Sequence, residues 1–191
     1  MAPRAMASIG AGPGWGISLT DAVLVAERKL GPAVLVAIVG AAIGLDQFTK
    51  WLMVEVVMQP PRVIPVVPGF NLTLGYNEGA SFGMLSGWMA GRPLAMVAMT
   101  AALTLVFAVM AVRARHPLER AGLALVVGGA LGNIVDRLRQ GAVTDFLDLY
   151  WRDWHWPTFN GADIAITIGA LCVLFAALPS RRRKEADFDE R

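Results

Sequence analysis

Cysteine is nearly absent from this 191-residue chain, which has only Cys172, inside an apolar run. A disulfide framework is therefore excluded. The two histidines, His116 and His155, fall in different connecting segments, so a Cys/His metal site cannot be assembled either. Charge is scarce as well. Only 17% of residues are charged against 55% hydrophobic, and the mean hydropathy is positive, which is too apolar for an ordinary soluble domain of this size. Residues 1 to 16 are rich in Ala, Gly and Pro, and no A-x-A site follows a short apolar core. No cleavable signal peptide is expected, and the first hydrophobic segment is read as retained. No internal repeat can be aligned. These absences leave a polytopic membrane protein whose chemistry rests on carboxylates or hydroxyls, with no metal and no cofactor expected.

Four segments qualify as spans. The first starts near Pro32 and extends the charge-free stretch Leu30 to Leu45 through Asp46, Lys50 and Trp51. The second, Leu94 to Val112, has nineteen residues without a charge, close to the ~20 that cross a bilayer. The third, Ala121 to Val135, and the fourth, Ile164 to Leu178, have fifteen residues each. Crossing ~30 Å at ~1.5 Å per residue forces both to borrow neighbours, which draws Asp136, Arg137 and Asp163 to the membrane boundary or inside it.

Lys and Arg set the orientation. Arg4, Arg28 and Lys29 precede the first span, Arg113, Arg115 and Arg120 fill the link between spans two and three, and Arg181, Arg182, Arg183, Lys184 and Arg191 close the chain. By the positive-inside rule both termini and the middle loop are cytoplasmic, and residues about 54–92 and 138–161 face outward. The outer ends of spans one, three and four then carry Asp46 and Lys50, Asp136 and Arg137, and Asp163, and Asp145 joins them from the outer connection. Within the first outer segment, residues 70–76 alternate in polarity and residues 63–69 are β-prone but broken by prolines. The expectation is a small sheet on the outer surface between spans one and two. The second outer segment holds Tyr150, Trp151, Trp154 and Trp156, rings that favour the headgroup layer. Residues up to about 16 read as disordered, Ser18 to Asp21 could open a short helix, and the tail after Pro179 reads as a solvated charge run.

The polar residues near the hydrocarbon fall into five strings. Asp46-Gln47-Phe48-Thr49-Lys50 sets Asp and Lys at i and i+4 on one helix face, where they neutralise each other as support rather than chemistry. Asn77-Glu78-Gly79-Ala80-Ser81-Phe82 reads as a turn whose glycine lets backbone approach a ligand, although a plain surface turn with a solvated Glu78 fits as well. Gly132-Asn133-Ile134-Val135-Asp136-Arg137 ends a Gly-rich span, with Gly128, Gly129 and Gly132 allowing tight helix packing; a packing seam with a satisfied ion pair is the alternative. Adjacent Asp136 and Arg137 do not face each other on a helix, so each needs a partner elsewhere, with Lys50 and Asp46 as candidates. Val143-Thr144-Asp145-Phe146 and Phe159-Asn160-Gly161-Ala162-Asp163 carry the remaining acids. Alone, Asp163 reads as a helix cap and Asp145 as a loop acid. Brought together, they suit general acid and base work, because two neighbouring carboxylates do not both ionise easily and one keeps a proton.

As an ordered set, spread over about 120 residues and matched to four spans, these strings resemble lipoprotein signal peptidase, or signal peptidase II, the bacterial membrane aspartic protease family. The resemblance implies Asp145 and Asp163 as the catalytic dyad. It implies Asn77, Gly79, Asn133, Arg137, Asn160 and Ala162 as substrate-binding, and Asp46, Lys50 and Asp136 as structural support of the site. The implied fold is an all-α membrane core, a four-transmembrane-helix bundle with a small extracytoplasmic β-sheet between spans one and two. Residues 1–30 would form a cytoplasmic extension, 31–179 the peptidase domain and 180–191 a charged cytoplasmic tail. The implied substrate is a prolipoprotein whose cysteine bears a diacylglyceryl group, cut just before that cysteine, in the bacterial cytoplasmic membrane. Membrane lipids would be its other partners, nucleic acid would not be one, the chain would act as a monomer, and globomycin-type cyclic peptides would block the site. A proton-coupled transporter or a non-catalytic scaffold would also keep acids near a membrane. The acids here gather on one face instead of threading the bilayer, and neither rival explains five strings in order.

Overall fold

The computed structural model describes residues 30–79 and 92–178. Expectations for the N-terminal extension, for a helix opening at Ser18, for Ala80 to Phe82 and for the basic tail fall outside them. Four apolar helices dominate: α1 (Pro32–Leu52), α2 (Pro93–Arg113), α3 (Pro117–Gln140) and α4 (Gly161–Ala177). The first three each open on a proline, whose missing N–H has no intrahelical partner to lose at that position. Helix α1 continues into a π-helical turn, Met53–Val57, and together they run for 26 residues. With α2 and α3, that makes three helices long and apolar enough to cross a membrane; α4, at 17 residues, is shorter. Helix α3 ends on Gly141, whose left-handed φ of 82° lets its N–H return to the Arg137 carbonyl.

Helix α3 is the axis of the bundle and packs against all three others. In its most apolar stretch 67% of residues are buried, against 17% in α1 and in α2. Glycine makes this closeness possible. A Cβ on Gly128 would come within 2.6 Å of the Ala42 Cβ of α1, and one on Gly129 would strike the Ala162 carbonyl of α4. At the other end of the seam Gly122 and Gly169 face each other's carbonyl oxygens. The small-residue packing expected around Gly128, Gly129 and Gly132 is present, and it binds α3 to two neighbours at once.

Four strands, β1 (Ile64–Val67), β2 (Phe70–Asn77), β3 (Val143–Trp151) and β4 (Trp154–His155), form one antiparallel sheet in that order. The sheet is therefore not confined to the segment between the first two helices: β3 and β4 come from the connection between α3 and α4. Strand propensity hides β3, since it contains Asp145 and Asp148, a residue type depleted in strands, and buries consecutive residues in place of alternating. Strand β1 tolerates Pro65 because it lies at the sheet edge. Pairing of Gly75 with Asp145 and of Asn77 with Val143 carries the end of β2 beside the start of β3, and Leu147 pairs with Phe159 just ahead of α4.

Candidate active site

The C-terminal ends of α1 and α3, the N-terminal end of α4 and the adjoining ends of β2 and β3 meet in one polar layer. Helix α1 presents Asp46, Gln47 and Lys50. The Lys50 ammonium lies 2.8 Å from Asp46 Oδ2 and 2.9 Å from Asp136 Oδ2, and it donates to Asn133 Oδ1 at 3.0 Å. One buried cation thus ties two buried carboxylates from two helices. Asp46 also accepts the Ala162 N–H of α4 at 2.9 Å, and Asp136 accepts the Thr144 N–H of β3 at 3.1 Å. The cluster joins α1, α3, α4 and β3. Gly132 completes it, because a Cβ there would stand 2.5 Å from Asp46 Oδ2.

Above this frame sit Asp145 and Asp163, gathered by two asparagines. Asn160 caps α4 reciprocally: its Oδ1 accepts the Asp163 N–H, and its own N–H donates to Asp163 Oδ2, both at 3.1 Å. The Nδ2 of the same side chain donates to Asp145 Oδ1 at 2.6 Å and to Asn133 Oδ1 at 3.3 Å. Asn133 in turn donates to Asp163 Oδ1 at 3.1 Å. A single fully buried asparagine therefore touches both acids. Asn77, at the end of β2, donates to Asp145 Oδ2 at 3.3 Å while its Oδ1 holds the Gly79 N–H at 3.0 Å. Arg137 reaches the Gly79 carbonyl from α3 at 2.9 Å.

Asp145 is only 2% exposed, and burial pushes its carboxyl up to about 6. The charge of Asp163 pushes the same way. Hydrogen bonds from Asn160 and Asn77 and the charge of Lys50 oppose both. The layer holds four acids, Asp46, Asp136, Asp145 and Asp163, against two bases, Lys50 and Arg137. One proton retained between the upper two acids reduces that imbalance, and it leaves one carboxylic acid to donate and one carboxylate to accept.

All eleven residues singled out in the sequence lie in this layer, but not all in the expected manner. Gly79 has both its N–H and its carbonyl engaged by Asn77 and Arg137. Ala162 is fully buried and gives its N–H to Asp46, so it stands among the supports. Glu78 is exposed, as expected of a turn. Sequence reasoning passed over Gln47, whose Nε2 lies 2.8 Å from Asp136 Oδ1, 3.2 Å from Asp46 Oδ2 and 3.2 Å from the Gly132 carbonyl. Its place in the first string was the available signal. It also missed a cluster on the sheet, where buried Asp148 accepts from Asn71 at 3.0 Å and meets His155 Nδ1 at 2.8 Å, with Tyr150 stacked on the imidazole. No local string marks that cluster, because its members come from three strands.

Comparison with known proteins covers this whole layer. A family model described as signal peptidase (SPase) II matches residues 38–179. A lipoprotein signal peptidase of Serratia marcescens is 35% identical over 160 residues, 84% of this chain and 94% of that protein. One from Symbiobacterium thermophilum is 42% identical over 155 residues, 80% of this chain and 97% of its own. A solved bacterial membrane enzyme aligns with a TM-score of 0.68 at 26% identity, covering 78% of this chain and 90% of that one.

Proposed function

The chain belongs to the signal peptidase II family, and from that premise we propose that it removes signal peptides from diacylglyceryl-modified prolipoproteins as an aspartic endopeptidase. It cuts immediately before the lipid-modified cysteine. Asp145 and Asp163 are the catalytic pair. One carboxylate takes a proton from water as the oxygen attacks the scissile carbonyl; the other, protonated, donates to the carbonyl oxygen. Collapse of the tetrahedral intermediate then breaks the C–N bond, with the captured proton passing to the departing amine and the proton on the former carbonyl oxygen returning to the acid that gave it. The observation that carries this reading is the Asn160 bridge, which fixes both acids through one side chain while Asp145 retains its proton up to about pH 6.

The remaining roles follow from position. Asn77, Asn133, Asn160 and Arg137 line the site toward the substrate, and Asp46, Lys50 and Asp136, with Ala162 and Gly79, hold the elements around it. Helix α4 serves as a fourth span, which sets both termini in the cytoplasm and the catalytic layer at the outer face of the bacterial cytoplasmic membrane. Cleavage of a purified diacylglyceryl prolipopeptide, read by mass spectrometry, is the test. Wild type releases the signal peptide, Asp145→Asn and Asp163→Asn stop release while the protein still folds, and chelators change nothing. Activity surviving either substitution would sink the dyad.

A further inference from the structure

A cavity of about 220 Å³, lined by neither Asp145 nor Asp163, opens between the ends of α1 and α3. Helix α1 and its π-helical turn supply residues 47, 50, 51, 54 and 55, whose spacing keeps them close to one helix face. Helix α3 supplies 136, 139 and 140 at the same spacing, and Thr144 of β3 closes the end. Most of this polar lining is already committed. The Lys50 ammonium is shared among Asp46, Asp136 and Asn133, Gln47 donates to Asp136, and Gln140 donates to Thr144 Oγ1 at 2.7 Å. Two charges are not committed. Glu55 and Arg139 are both exposed, and neither has an ion pair or a side-chain hydrogen bond among the described residues. Trp51, 54% exposed, forms one wall, and its ring centroid lies 6.0 Å from that of Phe48. Rings of this kind settle where hydrocarbon gives way to headgroups, which sets the cavity at headgroup depth.

We propose that this cavity binds the headgroup of a phospholipid that carries a primary ammonium, phosphatidylethanolamine, with its phosphate on Arg139 and its ammonium on Glu55. The guanidinium offers a planar fork that pairs with phosphate oxygens, and the carboxylate accepts N–H bonds from the ammonium. One free cation and one free anion match a zwitterion in charge. A glycerol headgroup brings only negative charge and sets it against Glu55. A trimethylammonium headgroup keeps the balance but has no N–H to donate. The volume lies below the ~300–1,000 Å³ of sites that enclose whole small molecules, so a headgroup enters and the acyl chains stay outside, along exposed Leu45 and Phe48 of α1. The bound lipid joins the π-helical turn after α1 to the last turn of α3, the same two helix ends that Lys50 ties from within. The site stands apart from the cleavage reaction, because it needs only a bilayer.

Native mass spectrometry of the full chain in detergent, titrated with dioleoyl phosphatidylethanolamine, phosphatidylglycerol or phosphatidylcholine, reads lipid occupancy without reference to cleavage. Wild type should bind the ethanolamine lipid about fivefold more tightly than either of the others, the upper end for an exposed charge pair. Glu55→Gln should erase that preference, and Arg139→Gln should weaken binding of all three lipids. Glu55→Lys should reverse the preference in favour of the glycerol lipid, an outcome that a merely structural role for Glu55 would not produce. Arg113→Gln removes an equal charge from the end of α2, which packs at the opposite end of α3, and should leave the preference unchanged. Glycerophosphoethanolamine, the headgroup without its chains, is the soluble rival. It should fail to displace the lipid at equal concentration. Equal binding of the three lipids by wild type, or a preference that survives both Glu55→Gln and Arg139→Gln, would overturn the site. Displacement by glycerophosphoethanolamine would overturn the lipid as its occupant and assign the cavity to a free phosphoester.

Discussion

Asn160 makes the charge state of the two acids a shared property. The proposed mechanism needs one proton on the pair, and with Asp145 pushed up to about 6 that proton leaves as the pH rises. Cleavage should therefore decline on the alkaline side, with an apparent value that belongs to the pair. Asn77→Ala removes a bond that favours the ionised form, so its alkaline limb should move to higher pH than that of wild type in a kcat/KM profile. The same shift bears on stability. The folded value of Asp145 lies above its ordinary 3.8, so ionisation weakens the fold: the loss is absent below about pH 4 and complete above about pH 6. Asp145→Asn escapes it. Thermal unfolding in detergent should show the variant more stable than wild type at pH 8 by about 3 kcal/mol, the gap closing toward pH 4. The residues of the polar layer were largely legible in the sequence, because ionisable groups so close to hydrocarbon have few uses. Their partners were less so. Gln47 and Asp148 act through residues 77 to 89 positions away, and no local pattern records such a pairing.

At the scale of elements, the site depends on how closely α3 lies to α1 and α4. Gly129 abuts the Ala162 carbonyl, so Gly129→Ala forces α4 away from α3 and breaks the register between Asn133 and Asp163. A misplacement of about 1 Å costs on the order of 100-fold in rate, and kcat/KM should fall by about that factor while Asp145→Asn-type loss of the dyad is not involved. Circular dichroism should show the helices intact. The helices themselves were readable from long apolar runs, and the glycines announced the seam. The sheet was readable only by half. Strands β1 and β2 alternate or carry turn signals, whereas β3 has acids where strand formers are expected. Its pairing with β2 is a contact across about 70 positions that the tertiary structure, not the local sequence, enforces.

For the whole molecule, the proposed orientation rests on the excess of basic residues on one side of the bundle. Single cysteines introduced in the Cys172→Ala background report this orientation directly. In intact cells a membrane-impermeant maleimide should label Asp153→Cys and spare Arg115→Cys, which should react only after the membrane is opened. The reverse pattern would turn the catalytic layer inward. Long apolar runs mark the helices, but the placement of residues 46, 77, 133, 145 and 163 in one layer needs every element in place at once. That dispersal has a temporal side. As the chain leaves the ribosome, α1 and α3 can insert and even share their Lys50 ion pairs, yet Asp163 and its Asn160 partner are made after all the rest of the layer. Until that segment emerges and docks, Asp145 has neither its companion nor its bridge, so under the proposed mechanism a nascent or truncated chain would be inactive. The proposed activity would thus arise only once α4 is completed.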